Sequence, residues 1–289
     1  MRQPLIVVVG STGSGKTALS LKLATRLSGE VIAADSRTVY KEMDIGTAKP
    51  TAAEQKLVPH HGLNIVEPGE PFSAAQFKAI ALQAISDISK RGNLPILAGG
   101  TGLYVDAVIY DYHFPTLGNL QRDDRLLSLG VAELQYKAEE LGVSLNESDW
   151  HNPRRLIRAI ETGGSPKSKK PLRNDTLVIG LCPPREELKR RVHQRILDMV
   201  ESGLMQEVEL LVKRYGADSE AMTGIGYRSF AKALSGEITT EQAIEETFTA
   251  TMQLAKRQMT WFKRNDDIVW VDSQDEGVKL ASEFIAEAV

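Results

Sequence analysis

The sequence predicts an α/β protein: a P-loop NTPase-like parallel sheet flanked by helices, with a small helical insertion domain. Three observations predict it. A strand, a glycine loop and a helix follow one another at the N-terminus, strand and helix patterns then alternate, and the strand signal disappears between Tyr112 and Trp150.

Leu5-Ile-Val-Val-Val9 is a β-branched run that stops at Gly10, and Ala18, Leu19, Leu21, Leu23, Ala24 and Leu27 recur after it at helical spacing. Val31-Ile-Ala-Ala34 and Leu94-Pro-Ile-Leu-Ala98 read as buried strands ending at Asp35 and at Gly99-Gly100. Between them Ser73 and Gln76 form a capping box ahead of Phe77, Ile80, Ala84, Ile85 and Ile88, so a helix crosses back to the sheet. This alternation implies parallel strands covered on both faces.

The polar, leucine-containing stretches Asp123 to Leu129 and Val131 to Leu141 suggest short helices, and Gly163 to Lys170 reads as a mobile loop. Leu177 to Cys182 returns to the sheet. A helix from Pro184 to about Ser202 carries Leu188, Val192, Ile196 and Val200 on one face and stops at Gly203. Another begins with the box Thr239-x-x-Gln242 and runs through Phe248, Met252, Ala255, Met259 and Phe262, before a last strand at Ile268 to Val271. The expected division is a core of residues 1–111 and 151–289 that carries the active site, and an insertion of residues 112–150.

With 289 residues, 42% hydrophobic and 25% charged, the chain has the composition of an ordinary soluble protein. Leu5 to Val9 is too short for a signal sequence, and no run approaches the roughly 20 apolar residues of a membrane span, so a cytoplasmic protein is expected; separately, a monomer is the expected state. The single cysteine, Cys182, excludes a disulfide framework and a cysteine-based zinc site, and is expected in the core. The net charge of −3 conceals a partition: residues 151–265 hold 20 Lys plus Arg against 14 Asp plus Glu, which is +6, and the rest carries −9.

Gly10, Ser11, Thr12, Gly13, Ser14, Gly15, Lys16 and Thr17 match G-x-x-x-x-G-K-[ST] between a predicted strand and a predicted helix. Backbone N–H groups of such a loop cradle phosphate oxygens, Lys16 adds a positive charge, and the Thr17 hydroxyl suits Mg²⁺. Asp35 falls at the carboxyl end of the next strand, the edge where open α/β sheets bind ligands. A carboxylate there either holds Mg²⁺ through water or takes a proton from an incoming nucleophile. His60 and His61 have no carboxylate or cysteine partner at ligand spacing and read as structural, while Trp150, Trp261 and Trp270 read as core or interface.

The segment Asp35-Ser-Arg-Thr-Val-Tyr-Lys-Glu-Met-Asp-Ile-Gly-Thr-Ala-Lys-Pro50 resembles the tRNA dimethylallyltransferases. The resemblance continues through Val58-Pro-His-His61, Glu70 to Phe77, Gly99-Gly-Thr-Gly-Leu-Tyr104, Arg154 to Glu161, Gly224-Ile-Gly-Tyr-Arg228 and Ala255-Lys-Arg-Gln-Met-Thr-Trp-Phe262. It implies a channel that takes dimethylallyl diphosphate from one side and a flipped-out tRNA adenosine beside the anticodon from the other. It further implies that Asp35 is the general base and that Thr101 hydrogen-bonds near the reacting amine and the tRNA. By the same resemblance Lys16, Arg195, the P-loop and Mg²⁺ on Thr17 neutralise the departing diphosphate. Asp35, Ser36, Arg37, Thr38 and Thr101 are then expected at the nucleotide, and Arg154, Arg155 and Arg158 at the anticodon arm together with the insertion. Thr38 stands where the family often has Gln. Rival readings are a prenyltransferase acting on free adenine nucleotides, a small-molecule kinase, and a non-catalytic RNA-binding module; the basic excess and the Ala255 to Phe262 block favour tRNA.

Overall fold

β-branched residues and the absence of charge give the first strand its character: Leu5, Ile6, Val7, Val8 and Val9 have no exposed surface. Since successive strand side chains point to opposite faces, both faces of the sheet are covered. Each such side chain contributes roughly 1.5–3 kcal/mol by leaving water. The computed structural model describes residues 3–114, 124–164, 168–217 and 219–288. In order the elements are β1 (Leu5–Gly10), α1 (Lys16–Leu27), β2 (Gly29–Ala33), α2 (Ala52–Leu57), β3 (His60–His61), α3 (Ala74–Lys90), β4 (Leu94–Gly99) and α4 (Gly102–Ile109). Then come α5 (Val131–Glu140), α6 (Glu147–Trp150), α7 (Pro153–Glu161), β5 (Thr176–Leu181), α8 (Arg185–Glu201) and α9 (Leu204–Tyr215). The chain finishes with α10 (Tyr227–Leu234), α11 (Thr240–Phe262), β6 (Ile268–Val271) and α12 (Gln274–Ala288).

The six strands are all parallel, in the order β3-β2-β4-β1-β5-β6. The expected α/β architecture is therefore the observed one. Leu19 and Leu23 of α1 and Val278 and Ala281 of α12 bury against Ile6, Val8, Ile96 and Ile179. A second cluster joins Val39, Tyr40 and Met43 to Leu204, Val208 and Leu211 of α9, Tyr227 and Phe230 of α10 and Ala243 of α11. A third sets Leu188, Val192 and Ile196 of α8 against Ala255 of α11. The capping boxes at Ser73 and Thr239 are formed as their sequences require, with Gln76 and Gln242 returning the bond.

Two expectations are corrected. Cys182 is exposed, because β5 ends at Leu181 and the next residue already turns toward Pro183-Pro184. The chain also divides into residues 1–110 with 172–289, and residues 111–171, so the insertion extends to 171 rather than 150. The reason lies in α7, whose Leu156 and Ala159 bury against Leu134 and Ala138 of α5 and against Val143. His113 N–H donates to the Ser168 carbonyl at 2.9 Å within the same unit. Met1, Asp123 and Ser165 to Lys167, on which parts of the N-terminal, helix and loop readings fall, lie outside the described residues.

Candidate active site

The carboxyl ends of β1, β2 and β4 bring the chemistry of the larger unit together. β1 opens into the P-loop, where Gly15 takes φ 99°, a conformation that side chains resist, and so starts α1 at Lys16. Lys16 Nζ donates to the Ser11 carbonyl at 2.6 Å. Desolvation lowers the Lys16 pKa to about 8; Asp35 opposes that shift and Arg195 adds to it. Ser11 and Ser14 hydroxyls are buried without a protein partner.

Asp35 stands two residues beyond β2, and its Oδ1 accepts the Arg37 N–H at 2.8 Å, a local turn that fixes the carboxylate. Thr101, the N-cap position of α4, accepts the Ser36 N–H on Oγ1 at 3.0 Å, and its own N–H donates to the Ala34 carbonyl at 3.2 Å. These bonds join the ends of β2 and β4. They require Gly99, where a Cβ would lie 2.0 Å from the Ala34 oxygen.

Two cavities meet here. The narrower, about 90 Å³, is walled by Lys16, Thr17, Asp35, Thr38, His60 and Arg195 among others. The wider, about 470 Å³, is walled by Asp35, Ser36, Arg37, Thr101 and Arg195, by the Gly224 to Tyr227 turn, and by apolar groups including Val192, Ile196 and Leu254. Thr12, Asp35, Thr47, Gly100, Arg195 and Gln258 belong to both walls, so the cavities are contiguous. The wider volume is in the range that takes small molecules. Burial lowers the Arg195 pKa, against the attraction of Asp35, so this guanidinium lies in low-dielectric surroundings near a carboxylate.

Several residues stand outside one or both of these cavities. Arg191, one turn from Arg195, bonds to the Ser14 carbonyl at 3.2 Å and to Glu187 at 2.5 Å instead of lining either cavity. Thr38 is buried, lines only the narrower cavity, and turns its hydroxyl to the Asp35 carbonyl at 3.4 Å. Arg154, Arg155 and Arg158 sit on α7 in the 111–171 unit. Arg155 lies 3.8 Å from Asp149, and Arg158 lies 3.7 Å from Glu161.

Other groups emerge only in three dimensions. Gln258 Oε1 accepts the Thr12 N–H at 2.8 Å and its Nε2 donates to the Gly100 carbonyl at 3.0 Å, tying the P-loop to the β4 loop. Its sole sequence signal was its place in the Ala255 to Phe262 block. Glu207 accepts the N–H groups of Asp44, Ile45 and Gly46 at 2.9, 2.7 and 3.0 Å and the Tyr227 hydroxyl at 2.7 Å, holding the segment that presents Thr47 to the cavities. Trp261 Nε1 donates to Asp106 at 2.9 Å, in keeping with a packing role. His61 bonds to Glu30 at 2.7 Å and is structural as read, whereas His60 lines the narrower cavity and burial lowers its pKa.

This fold and loop define a P-loop α/β protein whose cavities open at the carboxyl edge of a parallel sheet. A sequence model of the family described as IPP transferase matches residues 38–265, and one of isopentenyl transferase matches residues 3–61. The tRNA dimethylallyltransferase of Desulforudis audaxviator is 39% identical, with 95% of this chain and 93% of that protein covered. The crystal structure of the full-length tRNA isopentenylpyrophosphate transferase of Bacillus halodurans aligns with a TM-score of 0.74 at 38% identity, over 99% of this chain and 96% of that one. A eukaryotic dimethylallyltransferase captured acting on tRNA aligns with a TM-score of 0.84 at 28% identity, over 99% of this chain and 80% of that one. The chain belongs to the IPP transferase family.

Proposed function

We propose that this protein transfers the dimethylallyl group of dimethylallyl diphosphate to N6 of the adenosine 3′-adjacent to the anticodon in tRNA. The observation that carries the reading is the pair of contiguous cavities with the P-loop lysine in the narrow one and Asp35 at their junction. Diphosphate binds the loop N–H groups and Lys16, and the allyl group points into the wider space. The N6 lone pair forms a bond to C1 as the C1–O bond breaks and diphosphate leaves. Asp35 takes the N6 proton, its orientation fixed by the Arg37 N–H. Thr101 lies beside the reacting amine, while Lys16 and Arg195 stabilise the charge that grows on the leaving group.

Mg²⁺ fits the same cavity. Among the described residues no group of three or more His, Cys, Asp or Glu forms a protein cage for a metal. Mg²⁺ characteristically relies instead on a hydroxyl, substrate phosphates and retained waters. Thr17, whose hydroxyl stands beside Lys16 in the wall of that cavity, and the diphosphate would hold it. When bound, the ion neutralises diphosphate charge.

The exposed arginines of α7 and the 111–171 unit hold the anticodon arm, with phosphate contacts supplying position rather than base reading. Ser36, Arg37 and Thr38 shape the nucleotide side. Unmodified tRNA, AMP and ATP incubated in parallel with the protein, Mg²⁺ and dimethylallyl diphosphate, followed by nucleoside mass spectrometry, test the proposal. A dimethylallyl adenosine from tRNA alone supports it; transfer to free nucleotide alone, or a phosphorylated product with ATP consumption, contradicts it.

A further inference from the structure

Glu207 on α9 lines neither cavity, yet it holds a wall of both. Its Oε2 accepts the Asp44 and Ile45 N–H groups, and its Oε1 accepts the Gly46 N–H and the Tyr227 hydroxyl. Two donors on each oxygen is the capacity of an ionised carboxylate, so Glu207 is saturated. The turn it grips is fixed from the other side as well. The buried Lys49 Nζ donates to the Tyr40 carbonyl at 2.8 Å, to Asp44 at 2.5 Å and to Asn64 at 2.6 Å. Ala48 takes φ 48°, a conformation that side chains resist, and a Cβ on Gly46 would lie 2.6 Å from the Tyr227 ring.

The position of this turn gives the clamp a chemical consequence. Gly46 and Thr47 line the wider cavity, and Thr47, Ala48 and Pro50 line the narrower one, so the turn runs along their junction. Leu204, the first residue of α9, and Gly224 to Tyr227 line the wider cavity too. One carboxylate therefore joins two of its walls. The polar hydrogens of the turn are committed inside the protein: Thr47 Oγ1 donates to the Met43 carbonyl at 2.5 Å, and the N–H groups before it go to Glu207. Without the carboxylate, three backbone N–H groups and a buried phenol lose their acceptor, and water is the replacement at hand. Water at the junction is a competing nucleophile for an allylic carbon that is losing diphosphate, a side reaction that closed sites prevent.

We propose that Glu207 is a positioning residue that keeps water from the reacting carbon: by holding the Asp44 to Gly46 backbone and Tyr227 together it seals the junction, so that adenosine N6 takes the dimethylallyl group. In the competing reaction the oxygen of water bonds to C1 as the C1–O bond breaks. Diphosphate leaves, the water proton passes to solvent, and the product is dimethylallyl alcohol. This inference rests on the transfer reading of the site.

The test counts diphosphate released against dimethylallyl adenosine formed when the full chain acts on unmodified tRNA, dimethylallyl diphosphate and Mg²⁺. That ratio is independent of how much of a variant is folded, since unfolded chain yields neither product. Glu207→Gln leaves one acceptor oxygen for four donors. It is expected to raise the ratio severalfold and to slow transfer by up to about 100-fold, the scale of a small misplacement near reacting atoms. Tyr227→Phe keeps the ring against Gly46 and removes one donor, so it is expected to raise the ratio less. The two changes together should act by less than their sum, because both break one clamp. Glu30→Gln is the control: that carboxylate is equally occupied but lines neither cavity, and its ratio is expected to match the wild type. An unchanged ratio in Glu207→Gln, or in Tyr227→Phe where the first variant does not fold, overturns the role of Glu207, and so does an equal rise in Glu30→Gln. Wild type that forms no dimethylallyl adenosine from tRNA overturns the transfer reading and this inference with it.

Discussion

β2 carries a carboxylate near each end, and the two are treated in opposite ways. Glu30, at its start, is 3% exposed and accepts Arg91 at 3.0 and 2.8 Å, Asn93 at 2.8 Å and His61 at 2.7 Å. Burial alone pushes its pKa up, but hydrogen bonds from Arg91, Asn93 and His61 prevail and hold it at about 2. Asp35, just past the other end, receives the Arg37 N–H and otherwise faces two cavities. A carboxylate whose lone pairs are saturated by fixed donors is an anchor. One held by a single backbone bond in a cavity wall keeps acceptor capacity for a proton in transit.

The same contrast separates Lys16 from the structural cations, and it yields the largest expected effect. Lys16→Met should lower the single-turnover transfer rate by about 100- to 1,000-fold, the scale of losing one preorganised stabilising group. Because the Lys16 charge is disfavoured by burial, its removal should leave the melting temperature unchanged or higher. A matching loss of stability would make Lys16 a structural residue and erase the contrast.

Glu30→Gln should do the reverse. Urea unfolding is expected to show a loss of about 2 kcal/mol, the scale of hydrogen bonds to a charged group, with little change in the rate of the folded fraction. The sign with pH follows from the lowered pKa. The Glu30 contribution is complete above its unfolded value of 4.5 and is lost as pH falls through about 2, so the Gln variant should lack that part of the acid destabilisation.

Two smaller effects sharpen the picture. Lys16 loses its proton above about pH 8 in the free protein, so diphosphate affinity should weaken above that point by at most about tenfold per pH unit. Lys16→Arg, which stays charged, should lack that inflection in the same titration. Arg155→Ala should reduce the salt slope of tRNA binding by about one and leave diphosphate affinity unchanged. An unaltered slope would mean that Arg155 serves only its ion pair with Asp149.

The order of strand, P-loop and helix was legible because each piece has a strong local signature, from the Val-rich β1 to the capping boxes at Ser73 and Thr239. Strand β3 was not, since two histidines have no period and pair with β2 only through the tertiary fold. Helices α9, α10 and α12 also escaped, and with them the Glu207 clamp, whose backbone partners lie more than 160 residues away in sequence. Cys182 misled because an apolar run does not state where its strand ends. The insertion boundary misled because the apolar face of α7 does not name the helix it packs against. Of the candidate site, Lys16, Asp35, Thr101 and Arg195 do share one pair of cavities. The bonds by which Gln258 ties the P-loop to the β4 loop depend on distances that no sequence spacing carries.

The most direct test of the account is a single-turnover measurement of dimethylallyl transfer to tRNA by Asp35→Asn beside the wild type, with diphosphate and tRNA affinities measured in parallel. Asparagine keeps the acceptor for the Arg37 N–H and the shape of the wall but does not take up a proton. The account predicts a transfer rate lower by about 100-fold or more with both affinities preserved. A variant that transfers at the wild-type rate would contradict it, because the proton of N6 would then have another acceptor.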